Sequence, residues 1–356
     1  MVKINFIRIF VLMNIRETFL KLTEWTYPYG SEYLLKPFLP EGILQDEFGN
    51  YFIKIGQSDT MFTCHLDTCS SEYKKVKHDI GSQFIGTDGK TILGADDKAG
   101  MTILLYMIEK KVPGLYYFFI GEEVGCVGSS QASSLNFSKY NKCISFDRRG
   151  YNSVITEQWF GQCCSDEFAE ALADQLNKKN LTFNFAPDPT GVVTDSASFM
   201  NDIPECTNIS VGYFSEHRVN ETQDIKFLNN LCEAVVKVDW ESLPIVRDPD
   251  EDWFSSPVKG HEVELSTQIN IWLDDEMWSV KLSNTRIIEE RGMIYDWVLN
   301  QGCYYDLKSI DWNGKIAVVN YGGVSEFLGD RSDLVYVISD LDPIPFDEVE
   351  LIDKVN

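Results

Sequence analysis

The chain has 356 residues, 44% of them apolar and 24% charged, and a formal net charge of −24. That length allows one large domain or two ordinary ones, and that apolar content supports a sizeable core, which argues against wholesale disorder. The acidic balance repels phosphate backbones and argues against a nucleic-acid partner.

The first 13 residues are apolar, with two basic side chains, Lys3 and Arg8. They resemble a signal h-region but have no small-residue cleavage site and are too short to span a bilayer. They are read as an N-terminal extension, with Met13 as an alternative start. No other stretch approaches about 18 consecutive apolar residues, so a soluble protein without a membrane partner is expected.

Residues 14–25 place Ile15, Phe19, Leu20 and Leu22 on one helical face, and Tyr27-Pro28-Tyr29-Gly30 stops the helix. Strands are expected at 51–55 and 60–64, the second running into His65. Two short apolar runs, 84–86 and 91–93, flank Asp88-Gly89 and predict a hairpin. A helix follows over 95–111, then a buried strand at 115–120 bounded by Pro113-Gly114 and Gly121. A further strand is expected at 143–146 and a Ser-capped amphipathic helix at 165–180. A strand at 207–211 and a helix at 223–238 complete the series.

This alternation predicts an α/β domain over residues 14–240, with a doubly wound, mostly parallel sheet and its chemistry at the carboxyl ends of the strands. Beyond it the texture changes. Residues 244–252 read as a linker. Residues 241–356 carry −15 of the net charge and five of the eight tryptophans, and contain β-like runs such as 316–319. They are read as a smaller α+β or β-rich accessory domain. The nine cysteines include no CxxC pair, which fits free thiols in a reducing, cytoplasmic compartment rather than a disulfide framework.

Five polar clusters sit where strands end. His65-Leu66-Asp67 couples an imidazole, a good zinc ligand, to a carboxylate that can fix its tautomer. Asp96-Asp97 opens a helix after Gly94; the pair can cap that helix or hold cations. Glu122-Glu123 ends a buried strand, where two carboxylates are costly without a cation or partner. Asp147 ends another strand, beside Arg148 and Arg149. His217 follows the strand at 207–211. It and His65 are two of only four histidines; His78 and His261 lie in polar stretches without that context.

In the order His, Asp, Glu, Asp, His, these clusters resemble the co-catalytic zinc exopeptidases, the clan that includes peptidase T and the glutamyl and leucyl aminopeptidases. His65-Leu66-Asp67 is similar to their His-x-Asp, and Gly94-Ala95-Asp96-Asp97-Lys98-Ala99-Gly100 to the bridging-aspartate segment of peptidase T. Glu122-Glu123, Asp147 and His217 match the remaining motif positions, and Thr194-Asp195-Ser196 is similar to a segment near the site in some members. The resemblance covers roughly residues 14–240. It implies two divalent metal ions, with zinc first and cobalt or manganese also compatible, held by His65, Asp96, Glu123, Asp147 and His217. Asp96 would bridge them, Asp67 would orient His65, and Glu122 would be the general base. The implied activity is hydrolysis of a peptide or small amide substrate, by an aminopeptidase first. A deacylase or carboxypeptidase, with Arg148, Arg149 or Arg218 as the anion partner, and a non-catalytic binding module are the alternatives. The sequence departs from the family in lacking room for a large insert: 31 positions separate His65 from Asp96, and 70 separate Asp147 from His217.

Overall fold

A computed structural model describes residues 13–158 and 161–249, and, beyond them, the backbone of short strands between residues 268 and 354. The chain divides into two compact units, Met1–Glu251 and Asp252–Asn356.

In the first unit the strands are β1 (Leu44–Gln45), β2 (Tyr51–Ile55), β3 (Thr60–His65), β4 (His78–Ile80), β5 (Phe84–Thr87), β6 (Gly114–Phe119) and β7 (Lys142–Arg148). They continue with β8 (Ser153–Ile155), β9 (Glu157–Gln158), β10 (Gly161–Gln162), β11 (Ala186–Asp188), β12 (Glu205–Ser210), β13 (Tyr213–Phe214) and β14 (Thr222–Asp224). The helices are α1 (Ile15–Leu22), α2 (Ala95–Glu109), α3 (Val127–Ala132), α4 (Asp166–Lys179) and α5 (Ile225–Val235).

Eight strands form the main sheet in the order β1-β2-β6-β3-β7-β12-β8-β11. Its centre, β6-β3-β7-β12, is parallel, and the edges are mixed. The central strands are buried on both faces, including the polar residues of β12. Phe62, Cys64, Tyr116 and Phe118 point into a core with Phe19, Ile103, Leu104, Leu172 and Leu228. Met61, Leu115, Tyr117 and Phe119 point the other way, onto Ala132, Phe137 and Phe199. The period of two along each strand sorts the side chains into these layers.

Local chemistry sets the helix starts. Asn14, Ser165 and Asp224 accept hydrogen bonds from the first-turn amides of α1, α4 and α5. Helix α2 starts after Gly94, whose φ of +74° is unstrained only without a Cβ, and a Cβ there would stand 2.9 Å from Thr68. Gly100 brings α2 against β7, since a Cβ would lie 2.3 Å from the Phe146 carbonyl oxygen.

Two expectations are corrected. Residues 91–93 form no strand. Instead β5 pairs with β4 and β14 in a small antiparallel sheet, because Leu93 N donates to the buried Glu221 carboxylate rather than to a neighbouring strand. The stretch read as a linker from residue 244 is partly bound to the first unit. The Glu205 carboxylate accepts from Val246 N and Arg247 N, and the buried Arg247 guanidinium donates to the carbonyls of Met200, Ile203 and Pro204. Residues 1–12, His261 and the five C-terminal tryptophans' side chains lie outside the described residues.

In the second unit, strand Gln268–Leu273 pairs antiparallel with Glu276–Leu282, which pairs with Val349–Lys354. Tyr305–Asp306 and Asn320–Tyr321 extend that sheet. A separate sheet holds Ser309–Asp311, Lys315–Ala317 and Ile344–Pro345.

Candidate metal centre

The five expected ligands converge at the carboxyl ends of β3, β6 and β7. His65 is the last residue of β3, and its Nε2 lies 2.9 Å from Asp96 Oδ1 and 3.7 Å from Asp147 Oδ1. His217 approaches from the loop between β13 and β14, with Nε2 3.1 Å from Asp96 Oδ2 and 2.9 Å from Glu123 Oε2. The two oxygens of Asp96 therefore face different imidazoles. His217 has a φ of +62°, a left-handed conformation uncommon outside glycine, and its neighbour Ser215 has +57°.

Asp67 lies between the His65 ring and the loop of Glu122 and Glu123. Its Oδ1 lies 3.3 Å from His65 Nδ1, and its two oxygens also accept from Glu122 N (3.0 Å) and Glu123 N (3.1 Å). One buried carboxylate thus stands beside the His65 ring and holds the loop of Glu122 and Glu123. The Lys98 ammonium, itself buried, donates to the carbonyls of Leu66 and Asp67 and lies over the Tyr27 ring. Asp97 accepts from His65 N and Gly100 N, so it ties β3 to α2.

Asp147 is held on every side. Thr194 Oγ1 donates to Oδ2 at 2.6 Å, Tyr213 OH donates to Oδ1 at 3.1 Å, and Asp147 N donates to the Asn208 side chain. Glu122 Oε2 stands 3.9 Å from His65 Nε2, beside the centre rather than in it.

Two important residues carry no local sequence signal. Glu221 lies in a polar run that reads as a solvated loop, yet it is 1% exposed. Its carboxylate accepts from Leu93 N (2.9 Å), Gly94 N (2.8 Å) and Asp96 N (3.0 Å), joining the loop of His217 to the segment of Asp96. Cys69 N donates to Glu123 Oε1 at 3.0 Å. Of the candidate anion partners, Arg148 donates to Thr190 and Arg149 pairs with Glu216 at 3.1 Å.

The electrostatics describe a site short of positive charge. Burial pushes the Glu122 carboxyl well above the usual range, and burial with the charge of Asp96 raises Glu123 and Asp147. Burial opposes ionisation of Asp96, but its bonds to His217 and His65 outweigh burial and hold it below the usual range. Hydrogen bonds to Asp96 and Glu123 push His217 up to about 12. Burial lowers the His65 basicity, but Asp147, Asp67 and Asp96 reverse that and raise it well above 6.5. The donor atoms form two groups, His65/Asp96/Asp147 and Cys69/Glu123/His217, each with its atoms within 4.8 Å of one another. Imidazole and carboxylate donors in that number fit divalent metal ions, zinc among them.

A tripeptidase from Staphylococcus aureus superposes on the chain with a TM-score of 0.53 at 18% identity, covering 64% of this chain and 98% of that one. The chain shares the fold of that tripeptidase. An aminopeptidase PepT from Bacillus cereus gives a TM-score of 0.49 at 17% identity, over 62% of this chain and 96% of that one. Among curated sequences, the uncharacterized protein YqjE of Bacillus subtilis is 34% identical over 108 residues. That match spans 28% of this chain and 29% of the relative, so the chain covers less than a third of that relative's length. No protein-family model matches the chain.

Proposed function

We propose that the protein is a metal-dependent hydrolase of peptide bonds, most simply an aminopeptidase, working at the centre formed by His65, Asp96, Glu123, Asp147 and His217. The observation that carries this reading is Asp96, with one oxygen 2.9 Å from His65 and the other 3.1 Å from His217, as a carboxylate shared by two cations requires. Two divalent ions, zinc in the first instance, would supply carbonyl polarisation and a water of lowered pKa.

The chain's own residues supply the rest. Glu122 is placed to take the proton of the attacking water and to return it to the leaving amine. Asp67 fixes the Glu122 amide and the His65 ring together, so base and ligand keep one geometry. Thr194 and Tyr213 direct the Asp147 oxygens.

Arg218 favours a second reading. It is exposed next to His217, and its side chain has no polar partner among the described residues, so it can meet the free carboxylate of a dipeptide or an N-acyl amino acid. The free thiols of the described residues support a reducing compartment, as in the cytoplasm. Among the described residues no helix is long and apolar enough to cross a membrane.

The test is the metal content of the purified protein, with hydrolysis of aminoacyl, dipeptide and N-acyl amino-acid substrates before and after chelation. About two metals per chain and chelator-sensitive cleavage support the proposal. No metal and no cleavage after zinc, cobalt or manganese is restored would leave a non-catalytic binding module.

A further inference from the structure

The structure assigns Cys69 as a thiolate ligand of the second metal position, making that position a zinc-selective centre of sulfur, nitrogen and oxygen donors. The inference rests on the two-cation reading above.

Three different ligand types meet at this point. The Cys69 sulfur, a Glu123 carboxylate oxygen and a His217 ring nitrogen all lie within 4.8 Å of one another. Asp96 Oδ2 completes the set at 3.1 Å from His217 Nε2. The placement follows from the chain. Cys69 is two residues beyond Asp67, and its amide is held by the Glu123 oxygen that does not face His217. The glutamate therefore anchors the cysteine backbone with Oε1 and faces the imidazole with Oε2. Cys69 also stands apart from its kind, since it is exposed while the other seven described cysteines are buried. Those seven have the environment of small core side chains; Cys69 does not.

The other position has no such donor. His65, Asp96 and Asp147 offer one nitrogen and oxygens only. Carboxylate and imidazole accept zinc, cobalt or manganese, whereas a thiolate favours zinc. The two positions thus have different selectivities, and the second loads zinc in preference to manganese. Loading replaces the S–H bond with a metal–sulfur bond and releases the thiol proton to solvent, with no change of oxidation state. A ligating thiolate is no longer available to an alkylating reagent.

Cobalt(II) is the probe. Chelated protein titrated with cobalt(II) is expected to take up two equivalents, and one of them brings a thiolate-to-cobalt charge-transfer band in the near ultraviolet. Cys69→Ser is expected to lose that band while keeping the visible cobalt bands of the nitrogen and oxygen donors. It should bind one equivalent at least about tenfold more weakly, the loss seen when even an outer partner of a metal ligand is removed. In parallel, iodoacetamide followed by peptide mapping should label Cys69 in the metal-free protein, and zinc should protect it where manganese does not. Two equivalents of cobalt with no charge-transfer band, or a band that survives in Cys69→Ser, overturns the thiolate ligand and leaves the proposed function standing. Failure to bind cobalt at all overturns both.

Discussion

The two halves of the centre are built differently. His65 and Asp147 stand at the ends of central strands, almost sealed from solvent, and Thr194, Tyr213 and Asn208 fix the Asp147 oxygens and amide. His217 and Cys69 come from loops and face water, and the His217 side chain is 45% exposed. The sheet therefore makes one position rigid, while the other depends on loops that Glu221 and Asp67 tie down. A strand end is placed by a ladder of hydrogen bonds and by packing on both faces; a loop end needs dedicated partners.

Asp96→Ala tests whether the halves are one centre. Both metals should be lost and hydrolysis should become undetectable, read by metal analysis and by turnover. Retention of one tightly bound metal would instead show two independent positions. Glu122→Gln should lower kcat by about 10²–10⁴ while metal content stays at the wild-type value. Equal kcat would show that another group takes the proton.

Glu221→Gln sharpens the difference between the halves. It disturbs the hydrogen bonds that three backbone amides of the Asp96 segment donate to the carboxylate, and an outer partner of this kind is worth about 10–100-fold in metal affinity. The loss should fall on the position served by His217, measured by calorimetric titration of the chelated protein. Equal loss at both positions would mean that Glu221 acts only through the shared Asp96.

The buried acids also give the metal-free protein a pH signature. Burial pushes Asp195 and Glu221 up to about 7, from ordinary values of 3.8 and 4.5. Between those ordinary values and about 7, the folded chain keeps protons that the unfolded chain has lost. Folding stability therefore rises as pH falls from about 7 toward 4.5 and declines as pH returns to 7. His217, raised to about 12 from 6.5, extends the decline above neutrality. Metal-loaded protein should show the opposite trend at low pH, because protons compete with the ions for the same ligands. Thermal denaturation of chelated and loaded samples across this range checks both signs, and Asp195→Asn should flatten the chelated slope. The smallest effect belongs to the surface: Arg149→Ala removes an exposed pair with Glu216 and should change stability by less than about 1 kcal/mol in chemical denaturation.

Much of this architecture is legible along the chain. Residues 51–55, 60–64 and 115–120 are largely apolar runs cut by turn residues, and Ser165 and Asn14 are local caps, so strand and helix positions follow, to within a residue, from nearest-neighbour chemistry. The hairpin expected across Asp88-Gly89 shows the limit. The turn signal is real, but the second arm is claimed by Glu221, more than a hundred positions away.

The sequence by itself determined the alternating α/β plan and which acids and histidines end the strands, because period and burial are written residue by residue. Only the tertiary structure decided that Asp96 faces two imidazoles, that Glu221 is buried, and that Cys69 joins Glu123 and His217. Those relations depend on where loops far apart in the chain come to rest, and no local pattern encodes a distance between side chains separated by 54 or 125 positions.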